Sequence, residues 1–116
     1  MKKAIIINLI LLLVSFTISH AQLFKTSLKL TVRNELGNAA DSAAVKIFET
    51  KNDYLKEVNV VAEAVTNSEG VVKFKDLKPI QYFILVRKKN MDNIGGGEKI
   101  GKLVKGRFNK STVVIQ

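Results

Sequence analysis

The segment TNSEGVVKFKDLKPIQYFILVRK, residues 66–88, decides the fold, because it combines a turn, two apolar runs and the only proline of the chain. Residues 67–70 have the composition of a tight turn, and apolar and basic side chains alternate after it as far as Lys75. This pattern predicts a β-hairpin. Pro79 has no amide hydrogen to donate, which predicts a break in the sheet. Residues 82–86 then form a nearly continuous apolar run, typical of a strand in the middle of a sheet.

Period-two alternation and β-branched runs extend this pattern over the rest of the chain. They predict seven strands, at residues 28–33, 45–48, 60–66, 72–75, 82–86, 100–104 and 112–115. Gly37 lies in a turn where positive φ is expected, and Phe48 is expected to cover the face opposite Val45 and Ile47. Asn52 is predicted to cap a short helical turn in a connection. Together these elements predict an all-β fold, a seven-stranded antiparallel Greek-key β-sandwich with one short helical turn.

The first 21 residues have the three-part form of a secretory signal peptide. Met1-Lys2-Lys3 precedes an apolar run at residues 4–18, and Ser19-His20-Ala21 has the small residues of a cleavage site. As a helix the apolar run would measure about 22 Å, against about 30 Å for a hydrocarbon core. We therefore expect cleavage after Ala21 and an exported protein, periplasmic or secreted, with a single domain at residues 22–116 and no transmembrane segment in it. An uncleaved membrane anchor is the alternative.

Charge and composition limit the partners and the chemistry of residues 22–116. This part of the chain carries 17 of the 19 Lys and Arg and all ten Asp and Glu, a net charge of +7. Since acids lie between the basic residues, the sequence favours a solvated surface, with an acidic partner such as anionic lipid or polysaccharide as the alternative. Export argues against nucleic acid. The expected partner is an unidentified protein or an envelope polysaccharide, and the domain is expected to be a monomer.

Residues that commonly support catalysis are missing from residues 22–116. The chain has no Cys, and its one His, His20, belongs to the predicted leader. The usual general base, thiol nucleophile and preferred zinc ligands are therefore absent. The sequence predicts that the protein is not an enzyme, with no catalytic residues, no cofactor and no metal site.

Two stretches resemble the carboxypeptidase regulatory-like, or transthyretin-like (prealbumin-like), family. They are NELGNAADSAAVKIFET, residues 34–50, and AEAVTNSEGVVKFKDLKPIQYFILV, residues 62–86. The matching positions are Gly37, Ala44, Val45, Thr66, Gly70, Val72, Phe74, Leu77, Pro79 and Tyr82. Ile80 and Gln81 depart from the pattern, because the family usually has a glycine before the tyrosine.

The resemblance implies structural roles for three of these side chains. Thr66 is expected to hydrogen-bond into the turn that Gly70 completes, and Leu77 to close one end of the sandwich. Tyr82 is expected to bury its ring while its hydroxyl reaches backbone groups at the corner. The family occurs as accessory domains attached to many activities, so these positions imply a fold and leave the function open.

Two groups of relatives carry chemistry that this sequence does not match. The transthyretin-like hydrolases use His and Arg and end in Tyr-Arg-Gly-Ser, whereas this chain ends in Val-Ile-Gln. Domains that form Lys-Asn isopeptide bonds place a glutamate on the strand after the tyrosine, where residues 83–87 read FILVR. The sequence therefore predicts a non-catalytic exported envelope binding or scaffold domain. The alternative is a calcium- or glycan-dependent adhesion module, and an enzyme ranks third.

Two local features offer candidate binding sites, the glycine-containing segment at residues 90–98 and the side chain of Tyr54. Residues 90–98, NMDNIGGGE, lack the Gly-Lys-Ser/Thr ending of a phosphate loop. Asp92, Asn93 and Glu98 offer oxygens to calcium without the regular spacing of a calcium loop, so a flexible connection is predicted. Tyr54 is the only plausible exposed platform for a glycan, and local packing against Leu55 or the sheet edge is favoured.

Overall fold

The computed structural model describes residues 25–116, which form two β-sheets and one short helix. The elements in chain order are β1 (Ser27–Asn34), β2 (Ala44–Phe48), α1 (Lys51–Lys56), β3 (Ala62–Val65), β4 (Val71–Phe74), β5 (Tyr82–Lys88), β6 (Met91–Asp92), β7 (Lys99–Ile100) and β8 (Phe108–Ile115). The expected all-β fold is confirmed as a sandwich-like pair of sheets. The predicted leader at residues 1–21 lies outside the described residues. Within residues 25–116, no helix is long and apolar enough to cross a membrane.

The strands are divided between a three-stranded and a five-stranded sheet. The first has the order β4-β1-β8, and the second has the order β3-β2-β5-β6 with β7 also paired to β5. β1 and β8 pair in parallel, from Ser27 opposite Phe108 to Asn34 opposite Ile115. The purely antiparallel expectation is therefore wrong for this pair, because alternation fixes which face a side chain occupies and does not fix strand direction. β6 brings the described strands to eight instead of seven, whereas β7 lies at the start of the strand predicted at residues 100–104.

The core lies between the two sheets and follows the alternation of the strands. Leu28, Leu30 and Val32 of β1 point inward against Ile84 and Val86 of β5 in one buried cluster. Tyr82 is fully buried, and its hydroxyl accepts a hydrogen bond from the Lys78 amide at 2.9 Å. Leu77 packs on the same cluster as a partly buried side chain. The role expected for Tyr82 is confirmed, whereas the closing of one end of the sandwich by Leu77 stays a prediction.

The hydrogen bonds to the turn that were expected of Thr66 are made by Asn67. The Thr66 hydroxyl accepts from the Ala43 amide at 2.8 Å and donates to the Ala40 carbonyl at 2.6 Å, so it binds the β1–β2 connection. Asn67 forms the turn instead, because its Oδ1 accepts from two backbone amides of the turn. Asx side chains commonly form such turns. Gly70 has φ of 75°, and a Cβ there would meet the Val32 carbonyl oxygen at 2.5 Å, so glycine is required.

Candidate functional site

A cleft lies on the outer face of the five-stranded sheet, between α1 and residues 93–98. Its volume is about 180 Å³. The floor is formed by Phe83, Leu85 and Arg87 of β5. These side chains point outward because Tyr82, Ile84 and Val86 occupy the core face of the same strand. The cleft therefore lies directly over the central strand of the larger sheet.

The α1 wall of the cleft is held by a second apolar cluster. Tyr54 is only 6% exposed, and its ring centroid lies 6.0 Å from that of Phe48 in an edge-to-face arrangement and 6.1 Å from that of Phe83. Tyr54 is thus no exposed glycan platform, as the local-packing alternative predicted. Its partners are sheet aromatics, whereas Leu55 is exposed at the cleft.

The ends of α1 are capped by the side chain of Thr50 at the N-terminus and by the backbone amide of Glu57 at the C-terminus. Thr50, and not Asn52, is the N-cap residue, since its hydroxyl accepts from the Asp53 amide at 3.1 Å. The cap favours Thr50 because its extended backbone lets the side chain reach the first turn. Glu57 ends the helix in a left-handed conformation, which places its carboxylate beside the floor of the cleft.

The opposite wall is anchored by Asn93, which is 1% exposed. β6 and β7 pair with the two ends of β5 and leave a gap between them. Asn93 fills this gap, because its Oδ1 accepts from the Val86 amide at 2.9 Å and its Nδ2 donates to the Ile84 carbonyl at 2.8 Å. One side-chain amide therefore replaces a peptide group of the missing strand. The connection predicted to be flexible is anchored at its centre.

The acids of this loop contact the loop backbone. The Asp92 carboxylate accepts from the Ile94 amide at 2.9 Å, and the Glu98 carboxylate accepts from the Gly95 amide. Within residues 25–116, no group of three or more His, Cys, Asp and Glu side chains is arranged to hold a metal ion. The calcium-dependent alternative stays a prediction without a contact that favours it.

An ion pair lies at the edge of the apolar floor. Arg87 donates to both carboxylate oxygens of Glu57, at 2.9 and 2.5 Å, and Lys46 lies 3.9 Å from the same carboxylate. The hydrogen bond from Arg87 lowers the pKa of Glu57 below its usual range. Burial, followed by the Glu98 carboxylate, raises the pKa of the Tyr54 phenol. The cleft thus offers apolar contact beside a fixed pair of opposite charges.

The cleft was not predicted from the sequence, because its lining residues come from three separate segments of the chain. Leu55 and Ile94 are both exposed at the cleft although they lie far apart in the chain. One signal was available in residues 82–86, where apolar residues occupy both faces of the strand. Such a strand must be covered on both sides, so a second layer over Phe83 and Leu85 was to be expected.

Comparisons with known proteins give a likeness at the level of structure. No family model matches the chain, and no curated protein matches it. Among solved structures, the chain is similar to chlorocatechol 1,2-dioxygenase from Pseudomonas putida, with 14% identity and a TM-score of 0.44, over 79% of this chain and 61% of that chain. The chain therefore spans about three fifths of the length of that solved chain.

The expectation that the protein is not an enzyme is corrected by this comparison, because the similar solved structure belongs to an enzyme. That expectation rested on missing residue types, and a fold can carry chemistry through other groups. At this TM-score the likeness transfers neither the dioxygenase activity nor any residue role to this chain.

Proposed function

We propose that the protein is an exported envelope domain that binds a partner protein through the cleft between α1 and residues 93–98. The observation that carries the proposal is the pair of exposed aliphatic side chains, Leu55 and Ile94, at a cleft floored by Phe83. Apolar side chains exposed around a polar group are typical of protein interaction sites. The proposal includes membership of the carboxypeptidase regulatory-like family, a transthyretin-like Greek-key topology, a monomeric state and removal of the leader after Ala21.

The chemistry of the cleft favours a protein segment over a polysaccharide. Sugar rings stack on exposed aromatic faces, and Tyr54 turns its ring into the Phe48 cluster instead. A peptide side chain of aliphatic or aromatic type can contact Phe83 and Leu85. A polar group beside it can hydrogen-bond to the Arg87–Glu57 pair, which is already held in place.

A capture experiment tests the cleft with matched variants. The purified domain would be immobilised and exposed to envelope extract, and the captured proteins would be compared between the parent and the double variant Leu55→Lys with Ile94→Lys. Both side chains are exposed, so the double variant should keep the parent melting temperature. We expect one dominant captured protein with the parent and its loss with the double variant.

The control is Leu36→Lys, which places the same charge on an exposed leucine in the turn after β1. It should capture the same protein as the parent. Capture that survives the double variant, or that Leu36→Lys also removes, would show that the cleft is not the binding site.

Export has its own test, independent of the cleft. Expression of the full-length sequence with its own leader should give a protein about 2 kDa lighter in the periplasmic or secreted fraction, as cleavage after Ala21 requires. A protein of full mass that retains Met1 in washed membranes would contradict export by a cleaved signal.

A further inference from the structure

Three lysines lie side by side across the outer face of the three-stranded sheet. Lys73 of β4 is directly opposite Lys29 of β1, and Lys29 is directly opposite Lys110 of β8. Neighbouring strands are about 4.8 Å apart, and like charges directly opposite one another destabilise a sheet. A row of three ammonium groups therefore costs folding free energy unless an anion lies over it.

The same face carries two further cations and most of the excess positive charge of residues 25–116. Strand alternation places Arg33 on the outer side with these lysines, and the exposed Lys75 directly follows β4. We call these five residues the basic face. They account for five of the seven excess positive charges of residues 25–116, since the other 12 cations are nearly matched by ten acids.

Five of the other 12 cations of the domain have acidic partners. The ion pairs within residues 25–116 are formed by Lys25, Lys46, Lys78, Arg87 and Lys88. The basic face contributes none of these cations. Sequence spacing alone does not show this distribution, because it does not show which strands become neighbours.

Apolar side chains are exposed on this face beside the cations. Phe108 is 68% exposed at one end of β8 and Val114 is 47% exposed near the other end. Both are on the outward side of β8, with Lys110 between them. Cations spread over a flat face with exposed apolar side chains match a lipid surface, where headgroups carry the charge and the acyl boundary accepts apolar groups.

We propose that the basic face docks on a membrane surface that contains anionic phospholipid. A soluble acidic polysaccharide would match the lysine row, and a sugar ring could stack on Phe108, but a polysaccharide gives no role to the exposed aliphatic side chain of Val114. The proposal goes beyond the cleft, which lies on the other sheet, and it does not require the partner protein. A membrane that covers the basic face leaves the cleft open on the opposite side of the sandwich.

Vesicle binding tests the proposal directly. Protein expressed from the full-length sequence would be floated with phosphatidylcholine vesicles, with and without phosphatidylglycerol. We expect binding only with phosphatidylglycerol, and its loss at high salt. Each Lys near an anionic surface contributes about fivefold in affinity, so Lys29→Gln with Lys73→Gln and Lys110→Gln should weaken binding about a hundredfold.

A control variant distinguishes the effect of lower net charge from the effect of losing the lysine row. Lys51→Gln with Lys56→Gln and Lys89→Gln removes three exposed charges away from the basic face. It should bind within a few-fold of the parent. No binding of the parent, or equal losses in the two triple variants, would overturn the proposal. Melting temperatures no lower than that of the parent would show that both variants are folded.

Val114→Thr separates lipid from polysaccharide, because it removes apolar contact without changing charge or an aromatic ring. It should weaken vesicle binding and leave any binding of soluble alginate, a polyuronate, unchanged. Alginate binding without vesicle binding would replace the lipid surface by a polysaccharide as the occupant. Vesicle binding that is unaffected by Val114→Thr would also overturn the proposal, because the choice of lipid rests on that side chain.

Discussion

Two buried polar side chains, Tyr82 and Asn93, each satisfy backbone groups where the sheet ladder is interrupted. Tyr82 lies after the break at Pro79, and its hydroxyl accepts a hydrogen bond from the Lys78 amide. Asn93 hydrogen-bonds to two backbone groups of β5 in the gap between β6 and β7. Buried polar groups without partners are costly, so both side chains stabilise the irregular ends of an otherwise regular fold. Tyr82 could be predicted from the Leu-x-Pro motif. Asn93 could not, because its role depends on where β6 and β7 pair.

Asn93→Ala should be strongly destabilising. The substitution leaves the Val86 amide and the Ile84 carbonyl without their partner in a buried environment. We expect a loss of about 3 kcal/mol of unfolding free energy, from about 1 to 3 kcal/mol for each unsatisfied group. Urea unfolding would measure the loss. Asn90→Ala, at an exposed position three residues earlier, should stay within about 0.5 kcal/mol of the parent. Equal effects at the two positions would contradict the role given to Asn93.

At the scale of elements, β5 determines both the core and the cleft. Its core face was predicted from residues 82–86, and the same apolar run indicated a covered outer face. The short helix was predicted as a decoration of a connection. Its docking through Tyr54 on Phe48 and Phe83 was not predictable, because β2, α1 and the more distant β5 must come together before those aromatic rings meet.

The ion pair that links α1 to β5 predicts a pH dependence of stability. The pKa of Glu57 is lowered by Arg87 in the folded state. A lowered folded-state pKa gives stability that is present above the unfolded carboxyl pKa and is lost as pH falls through the folded value. The melting temperature should therefore fall as the pH drops below the ordinary carboxyl pKa of about 4.3, and that of Glu57→Gln should fall less steeply.

Glu69→Gln, in the exposed turn after β3, is the matched control and should follow the parent curve. The pKa of Asp41 is also lowered, by Lys88, so some acid dependence should remain in Glu57→Gln. Identical slopes for the parent and Glu57→Gln would show that the pair contributes nothing to stability.

At the scale of the whole molecule, charge is unevenly divided between the two outer faces. The basic face has an unpaired row of lysines, whereas the cleft side pairs Arg87 with Glu57. The sequence predicted the number of sheets and the inward residues well. It could not predict this division, because the parallel pairing of β8 with β1 brings Lys110 beside Lys29.

The lysine row predicts that one substitution stabilises the domain while it removes a charge from the basic face. Lys29 is the middle member, so Lys29→Gln relieves repulsion with both neighbours. We expect a gain of about 0.5 kcal/mol in unfolding free energy at low salt, shrinking as salt screens the row. Lys102→Gln, at an exposed position outside the sheets, should change little. A loss of stability in Lys29→Gln at low salt would contradict the repulsion argument.

The parallel pairing of β1 and β8 also determines how the domain would resist mechanical force. The chain enters β1 near Phe108 and leaves β8 near Asn34, at opposite ends of one ladder eight residue pairs long. The two ends of that ladder are about 26 Å apart at about 3.3 Å per residue. Tension between them makes the two strands slide along each other, so the ladder hydrogen bonds share the load and must break together. In this geometry the force acts along the strands and loads all the hydrogen bonds of the ladder at once, whereas a force across the strands would break them one after another.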